Sequence, residues 1–416
     1  MIQVSQAVWG KFHHFDLARE FHQRGMLGSI YTTYPSWKLS NEGIPAERIH
    51  TFPYLHLASL AAQRLGFRQP GFDRKLARWI IGSFDRYLLR QLDACDVFIG
   101  ISGAGRKAGE QVQRRGGHYL CDRGSAHIRF CDEILAEEHA RWNVPYDPVD
   151  PYCLEREEEE YAMADALTVP SSFAASTYRR HGVAPEKIRV IPYGVDLRRF
   201  SATQVPPPDR FDVLFVGQIS LRKGIPYLLE AFSKLRARGK RLRMAGSMNP
   251  EIRELFGRMA GDSVEFLGHV PQARLAALMS ASHVLVLPSV EDGFGLVLCQ
   301  AMACGCPVIA SDHTGAPDVI KPGVEGLLFP ARHAEVLRQH LQRLADDRPL
   351  RDSMGAAALQ RVRSFGGWSS YGNAFESLCR ERIGMGAGPR HAASPRPTDS
   401  NAVPEGPRAS TQEHSR

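Results

Sequence analysis

The chain of 416 residues contains no run of about 18 apolar residues, so no membrane-spanning helix is predicted. Its first residues, Met1-Ile2-Gln3-Val4-Ser5, lack a basic stretch followed by a long apolar core, so no secretory leader is expected. The eight cysteines are scattered, and Cys299, Cys304 and Cys306 fall in or beside apolar runs. Buried reduced thiols are therefore expected, not a disulfide framework. Cys304-Gly305-Cys306 is too closely spaced for a usual zinc knuckle, and no matching Cys/His pair lies near it, so no metal site is read. Helix-turn-helix, zinc-finger and aromatic-basic ribonucleoprotein motifs are missing too, which argues against a nucleic-acid partner. These absences make the cytoplasm the default compartment.

What is there has the composition of a soluble globular protein, 43% hydrophobic and 23% charged, with enough length for two domains. A net charge of +7 favours anionic partners. A nucleotide diphosphate and a lipid-attached acceptor both fit, and the second would bring the protein to the inner face of the cell membrane as a peripheral partner.

Short apolar runs alternate with helical patterns. In the first half, strands are expected at 2–8, 27–32, 96–101, 166–169 and 188–191, and helices at 15–24, 72–91, 133–141 and 151–164. The proline run Pro206-Pro207-Pro208 marks a stiff linker over 201–210. The alternation then resumes, with strands at 213–216, 242–245, 264–267, 284–287 and 308–310. Helices are expected at 225–236, 251–259, 272–281, 294–303 and 334–345. The resulting fold class is α/β: two doubly wound, Rossmann-like domains over 1–200 and 211–365, facing a central cleft. A last helical pattern within 366–384 is expected to pack back on the first domain. The Pro-, Ser-, Gly- and Ala-rich stretch 385–416 reads as a disordered tail. The acidic run 155–160, broken by Arg156, reads as a solvated helix face.

The chemistry concentrates in Pro288-Ser289-Val290-Glu291-Asp292-Gly293-Phe294-Gly295-Leu296, which follows a buried strand and opens a helix. Glycines let the backbone approach a ligand, and a helix N-terminus favours an anion. Carboxylates at the same turn can accept hydrogen bonds from sugar hydroxyls. Asp292 and Gln300 lie two helical turns apart, so both can face one ligand. Alternatively, Asp292 simply caps the helix.

This segment, continued to residue 310 as PSVEDGFGLVLCQAMACGCPVIA, resembles the signature of family 4 glycosyltransferases, which have the two-domain GT-B fold. Val216-Gly217-Gln218-Ile219-Ser220-Leu221-Arg222-Lys223-Gly224 is similar to the family's diphosphate loop. Further matches are Ile191-Pro192-Tyr193-Gly194-Val195-Asp196, Phe266-Leu267-Gly268-His269-Val270 and Val324-Glu325-Gly326-Leu327-Leu328. By position, the resemblance implies that Asp292 contacts the sugar, Gln300 holds the ribose and Lys223 neutralises the diphosphate. Gln218, His269 and the backbone from Gly293 through Phe294 and Gly295 to Leu296 join this donor site. Gly10, in the turn after the first strand, is a further phosphate-side candidate. His127, after Cys121-Asp122-Arg123-Gly124-Ser125-Ala126, is expected near the donor sugar, against a structural role.

Three positions depart from the family pattern. Asp292 replaces a Glu, which gives Glu291 room to take part. Gln300 replaces the second Glu, so ribose binding loses a charge-assisted hydrogen bond. Gln218 replaces an Arg, a charge that Arg222 can supply. The resemblance implies retaining sugar transfer from a nucleotide-diphosphate-sugar to a hydroxyl of a glycan, lipid-linked or small-molecule acceptor. It implies no metal and no cofactor beyond the donor, and the leaving phosphate takes the acceptor proton. The alternatives are an epimerase or phosphorylase of the same fold, and a catalytically silent donor-binding subunit.

Overall fold

The computed structural model describes residues 1–53 and 70–384; the tail expected over 385–416 lies outside them. Seven parallel strands form the first sheet: β1 (Val4–Val8), β2 (Leu27–Thr32), β3 (Ile49–Thr51), β4 (Val97–Ile101), β5 (His118–Asp122), β6 (Ala166–Val169) and β7 (Ile188–Val190). Six parallel strands form the second: β8 (Phe211–Val216), β9 (Lys240–Ala245), β10 (Val264–Gly268), β11 (Val284–Leu287), β12 (Val308–Ser311) and β13 (Gly326–Phe329). Between β7 and β8 the chain has neither helix nor strand.

The strand orders are β3-β2-β1-β4-β5-β6-β7 and β10-β9-β8-β11-β12-β13. In each sheet the chain winds outward one way, returns to the centre, and winds out the other way. The winding reverses between β1 and β4, and between β8 and β11. Loops beyond the C-terminal ends of strands at such reversals form the natural ligand crevice. The central strands read as continuous apolar runs because helices cover both faces. Val284, Leu285, Val286 and Leu287 are all buried, as are Val97, Phe98 and Ile99.

The helix Gly367–Gly384 returns to the first domain. Its Tyr371 and Phe375 enter the core around Phe15 and Phe21, and Glu376 pairs with Arg24 at 3.2 Å. The two domains also meet through Glu138, whose carboxylate is fully buried. It accepts from Trp142 Nε1 at 2.8 Å and from the Tyr227 hydroxyl at 3.1 Å, and pairs with Arg332 at 2.8 Å. Tyr227 and Arg332 belong to the second domain, so one carboxylate ties the halves together.

Several elements differ from the sequence reading. The short strands β3 and β13 and the helices Arg106–Arg114, Ser172–Arg180 and Arg348–Arg363 were not anticipated. The acidic run is a solvated face only in part: Glu155 and Glu159 are exposed, but the other side of the helix is buried. Within helix Pro151–Met163, Arg156, Glu157, Glu160 and Tyr161 are buried together. Helical spacing places these four on one side, where each charge meets a partner. Arg156 pairs with buried Asp85 at 2.7 Å, Glu157 with Arg123 and the Ser102 hydroxyl, and Glu160 accepts the N–H groups of Gly103 and Arg106 at 2.8 Å each. Glu160 thereby caps the start of helix Arg106–Arg114.

Three buried histidines are held neutral. Burial lowers His14 to about 3, and His127 and His283 to about 4. His127 and His283 each use Nδ1 to accept a backbone N–H, from Arg129 at 3.2 Å and Asp212 at 2.9 Å, so a proton there also breaks a hydrogen bond. Because the folded values lie below the ordinary 6.5, the unfolded chain takes up protons first as pH falls. The stability these rings contribute is complete above about pH 6.5 and fades toward pH 4, at up to about 1.4 kcal/mol per pH unit for each ring. Urea unfolding of His127→Gln and His283→Gln across that window should show a shallower loss than the parent chain. Slopes identical to the parent would contradict the assignment.

Candidate active site in the interdomain cleft

The loops after β8 and β11 meet at the reversal point of the second sheet. Their backbones are bonded directly: the N–H groups of Val290 and Glu291 donate to the Arg222 carbonyl at 2.9 and 3.3 Å. Gly224 makes this approach feasible. Its φ is 66°, and a Cβ there would lie 1.9 Å from the Pro288 carbonyl oxygen. Any side chain at 224 would force the two loops apart.

This junction lines up two cations with two carboxylates. Arg222 Nε donates to Glu291 Oε2 at 2.6 Å, and Lys223 Nζ pairs with Asp292 Oδ2. Glu291 is fully buried, and its other oxygen accepts the Ala126 N–H at 3.1 Å. It therefore reaches across to the first domain and fixes Arg222, with no surface left for a sugar. Arg222 also donates to the Ser125 hydroxyl at 3.1 Å, and Glu291 raises its guanidinium above the ordinary range.

Asp292 does two things at once. Oδ1 accepts the Gly295 N–H at 3.1 Å, with Phe294 N at 3.4 Å, while Oδ2 faces Lys223. It caps the turn into helix Leu296–Ala303 and also anchors the lysine. Burial alone would push its carboxyl up, but Lys223, Arg222 and the backbone hydrogen bond hold it below the usual carboxylate range.

The cleft is closed over this point. A Cβ at Gly293 would lie 2.1 Å from the Gly124 carbonyl oxygen, and the Ser171 hydroxyl donates to the Gly293 carbonyl at 2.5 Å. Gly124 and Ser171 belong to the first domain. Beyond Gly293, Phe294 packs edge-on against Tyr193 at 5.2 Å.

The expected donor residues are thus partly gathered. Arg222, Lys223, Glu291, Asp292 and Gly293–Leu296 share one junction. Gln300 lies about one turn into helix Leu296–Ala303, in a cavity of about 90 Å³ that it shares with Leu296, Asp16, Asp196 and Trp368. Gln218 and His269 are exposed at the ends of β8 and β10. Gly10 holds the turn after β1, donating to the Thr33 hydroxyl at 2.9 Å. His127 is not brought to the donor loops. Its ring stacks on His181 at 4.5 Å, meets Tyr161 and Tyr178 edge-on, and borders a cavity of about 310 Å³ with Glu158 and Lys187. It acts as the N-terminal cap of helix Ile128–Arg141.

A histidine that does reach the cleft, and that the sequence reading passed over, is His13. Its Nε2 bonds Asp122 Oδ2 at 2.7 Å, and its ring lies tilted against Tyr193, with centroids 4.3 Å apart. The signal available was its place two residues after Gly10-Lys11, in the loop following β1.

Comparison with known proteins agrees with this geometry. The profile for glycosyl transferases group 1 matches residues 198–361, and that for glycosyltransferase family 4 matches residues 124–199. A D-inositol 3-phosphate glycosyltransferase of Pseudarthrobacter chlorophenolicus is 32% identical over 297 residues, covering 62% of this chain and 70% of that one. The chain belongs to the group 1, family 4 glycosyltransferases. Against other curated family members it spans about half their length, 51% in the case of the Streptomyces bingchenggensis D-inositol 3-phosphate glycosyltransferase. Among solved structures, sucrose-phosphate synthase from Thermosynechococcus elongatus aligns with a TM-score of 0.69 at 22% identity, covering 92% of this chain and all of that one. Anabaena Alr3699/HepE in complex with UDP aligns at 0.65 with 16% identity, over 92% and 100% of the chains. Both alignments establish the family's GT-B fold here.

Within this family member, the Gly293–Gly124 contact gives a direct test of closure. Gly293→Ala should hold the domains apart and cut kcat/KM by about tenfold or more, since small misplacements at a reacting centre are costly. Small-angle scattering and steady-state kinetics would check it. An unchanged radius of gyration with normal kinetics would show that closure does not depend on this contact.

Proposed function

We infer that the protein transfers a sugar from a nucleotide-diphosphate-sugar to an acceptor hydroxyl, with retention of anomeric configuration. The observation that carries this reading is the convergence of Arg222 and Lys223 with the start of helix Leu296–Ala303, beneath a closed interdomain contact. A diphosphate entering there would exchange the carboxylate partners of the two cations for its own oxygens. Charge developing on the leaving diphosphate would then fall on preformed donors in a cleft that excludes water. The C1–O bond to phosphate breaks as the acceptor oxygen bonds to C1 from the same face.

Asp292 is placed to stay on the Gly295 N–H when Lys223 turns to phosphate. Glu291 holds Arg222 and the 125–126 backbone in register and does not itself contact sugar. Gln300 would meet the ribose as a neutral partner. A glycan or lipid-linked acceptor fits the family and the basic charge. The HepE structure with UDP-glucose makes that nucleotide sugar a sensible first donor to try.

Incubation with a panel of nucleotide sugars, read as nucleotide release and label transfer, tests the function. Lys223→Ala should lower kcat/KM by roughly 10²–10³-fold, the usual cost of one lost transition-state charge partner. Gln300→Glu should tighten donor binding several-fold by restoring a charge-assisted hydrogen bond. Near-normal turnover in Lys223→Ala would remove the diphosphate assignment, and donor binding without transfer to any acceptor would point to a silent donor-binding subunit.

A further inference from the structure

A nucleotide cannot enter or leave the cleft while its two walls touch. The Gly293 backbone meets Gly124 across the domain boundary, and the Ser171 hydroxyl holds the Gly293 carbonyl. The domains must therefore part in each turnover, and the other contacts between them set how readily they do so. One such contact joins helix Ile128–Arg141 of the first domain to the second domain.

This contact has an apolar part and a polar part. Ala126, Phe130 and Ile134 of the first domain pack with Tyr227, Val290 and Ala334 of the second. The polar part is Arg332. Its Nη1 donates to Glu137 Oε2 and its Nη2 to the Ile134 carbonyl, each at 2.9 Å, and its Nε pairs with buried Glu138 at 2.8 Å. One guanidinium thus grips about a full turn of the facing helix. Glu138 carries the contact on to the donor loops, because it also accepts the Tyr227 hydroxyl at 3.1 Å. Tyr227 lies in the first turn of helix Ile225–Ser233, which begins directly after Lys223-Gly224. Val290 directly precedes Glu291.

The Arg332 backbone is held in an unfavourable conformation. Among the described residues other than glycine, only Asn143 and Arg332 have a left-handed φ, at 52° and 69°. Both lie at this contact, since Asn143 follows Trp142, another donor to Glu138. Asparagine tolerates that region, and arginine much less so. The turn does not need the arginine side chain. The Ala331 N–H donates to Asp312 Oδ1 at 2.8 Å, and the His333 N–H to the Pro330 carbonyl at 3.1 Å. What arginine adds is reach across the boundary. A strained residue persists where its surroundings over-determine it, and here part of those surroundings belongs to the other domain. A cavity of about 330 Å³ lies beside it, lined by Arg141 and Trp142 from one domain and Tyr227, Glu230 and Glu335 from the other. Water there can take over the partners of Arg332 as the domains part.

We propose that Arg332 is a clasp that holds the ligand-free chain closed and slows nucleotide release. With the clasp made, Glu138 keeps Tyr227 and helix Ile225–Ser233 against the first domain, and the donor loops stay in register. Opening exchanges the contacts of Arg332 for water and lets the strained turn relax. The effect on nucleotide release rests on the sugar-transfer reading above, whereas the effect on closure does not.

The test uses the full chain and two variants. Arg332→Gly removes the reach and supplies the residue that the left-handed turn favours. Glu138→Gln keeps an oxygen for Trp142 and Tyr227 but removes the charge partner. Without ligand, small-angle scattering should give both variants a larger radius of gyration than the parent, and amide exchange should quicken over 128–141 and 225–233. UDP dissociation, followed by stopped flow, should speed up about tenfold or more in Arg332→Gly, in line with the loss of one hydrogen bond between charged groups. Combining the two changes should open the chain little further than either alone, since they break one contact. A role confined to the turn predicts that glycine leaves scattering, amide exchange and dissociation at parent values, and that result would overturn the clasp. UDP leaving an opened Arg332→Gly chain at the parent rate would remove the control of release. If Arg332→Gly does not fold, parent-like scattering and exchange in Glu138→Gln overturn the clasp alone. If the parent chain binds no UDP, the donor reading with this nucleotide fails, and scattering and exchange still decide the clasp.

Discussion

Two adjacent cations, Arg222 and Lys223, face two adjacent carboxylates, Glu291 and Asp292, and the rest of the cleft is arranged around that alignment. Four charges this close are costly to desolvate unless each is paired and hydrogen-bonded. Every pairing here has a second anchor. Glu291 is also tied to the Ala126 N–H, Arg222 to the Ser125 hydroxyl, and Asp292 to the Gly295 N–H. The charge cluster is therefore also a domain contact. Closing the cleft and aligning the four charges are one event, because Glu291 and Arg222 also hold the first domain.

The fold supplies this arrangement through topology. Winding reversals between β1 and β4 and between β8 and β11 leave the loops after β1, β8 and β11 free to face one another. The three loops carry His13, Lys223 and Asp292. Glycines set the distances. Gly224 lets the two donor loops touch, and Gly293 lets the domains touch. Glu138 and the returning helix Gly367–Gly384 fasten the halves on other sides, which leaves the cleft as the part whose contacts a ligand would replace.

Much of this was legible in the sequence where the chemistry is local. The stretch 288–296 shows its glycines and its acids within nine residues, directly after a buried strand, and the 216–224 loop shows its glycines and two adjacent cations as compactly. Fully apolar strands such as β11 were equally plain, because a parallel sheet covered on both faces demands unbroken apolar runs. What failed was of two kinds. Short or weakly apolar elements escaped: β3 has three residues, and helix Arg106–Arg114 buries only Ala108, Gly109 and Val112. Partnerships set by tertiary structure escaped as well. His13 and Asp122 lie 109 residues apart, and nothing in their local patterns pairs them. His127 looked functional because the family resemblance put it near the donor sugar, yet its ring turns to His181 and caps a helix. The acids at 157 and 160 looked solvated because their buried partners, Arg123 and the backbone at 103 and 106, come from other elements.

The central claim is that Lys223 leaves Asp292 to bind a diphosphate at the start of helix Leu296–Ala303. A crystal structure of the chain with UDP, or with the nucleotide of whichever donor turns over, tests it most directly. The account expects Lys223 Nζ on a phosphate oxygen, with Asp292 still accepting the Gly295 N–H. A diphosphate bound elsewhere, with the Lys223–Asp292 pair intact, would contradict it.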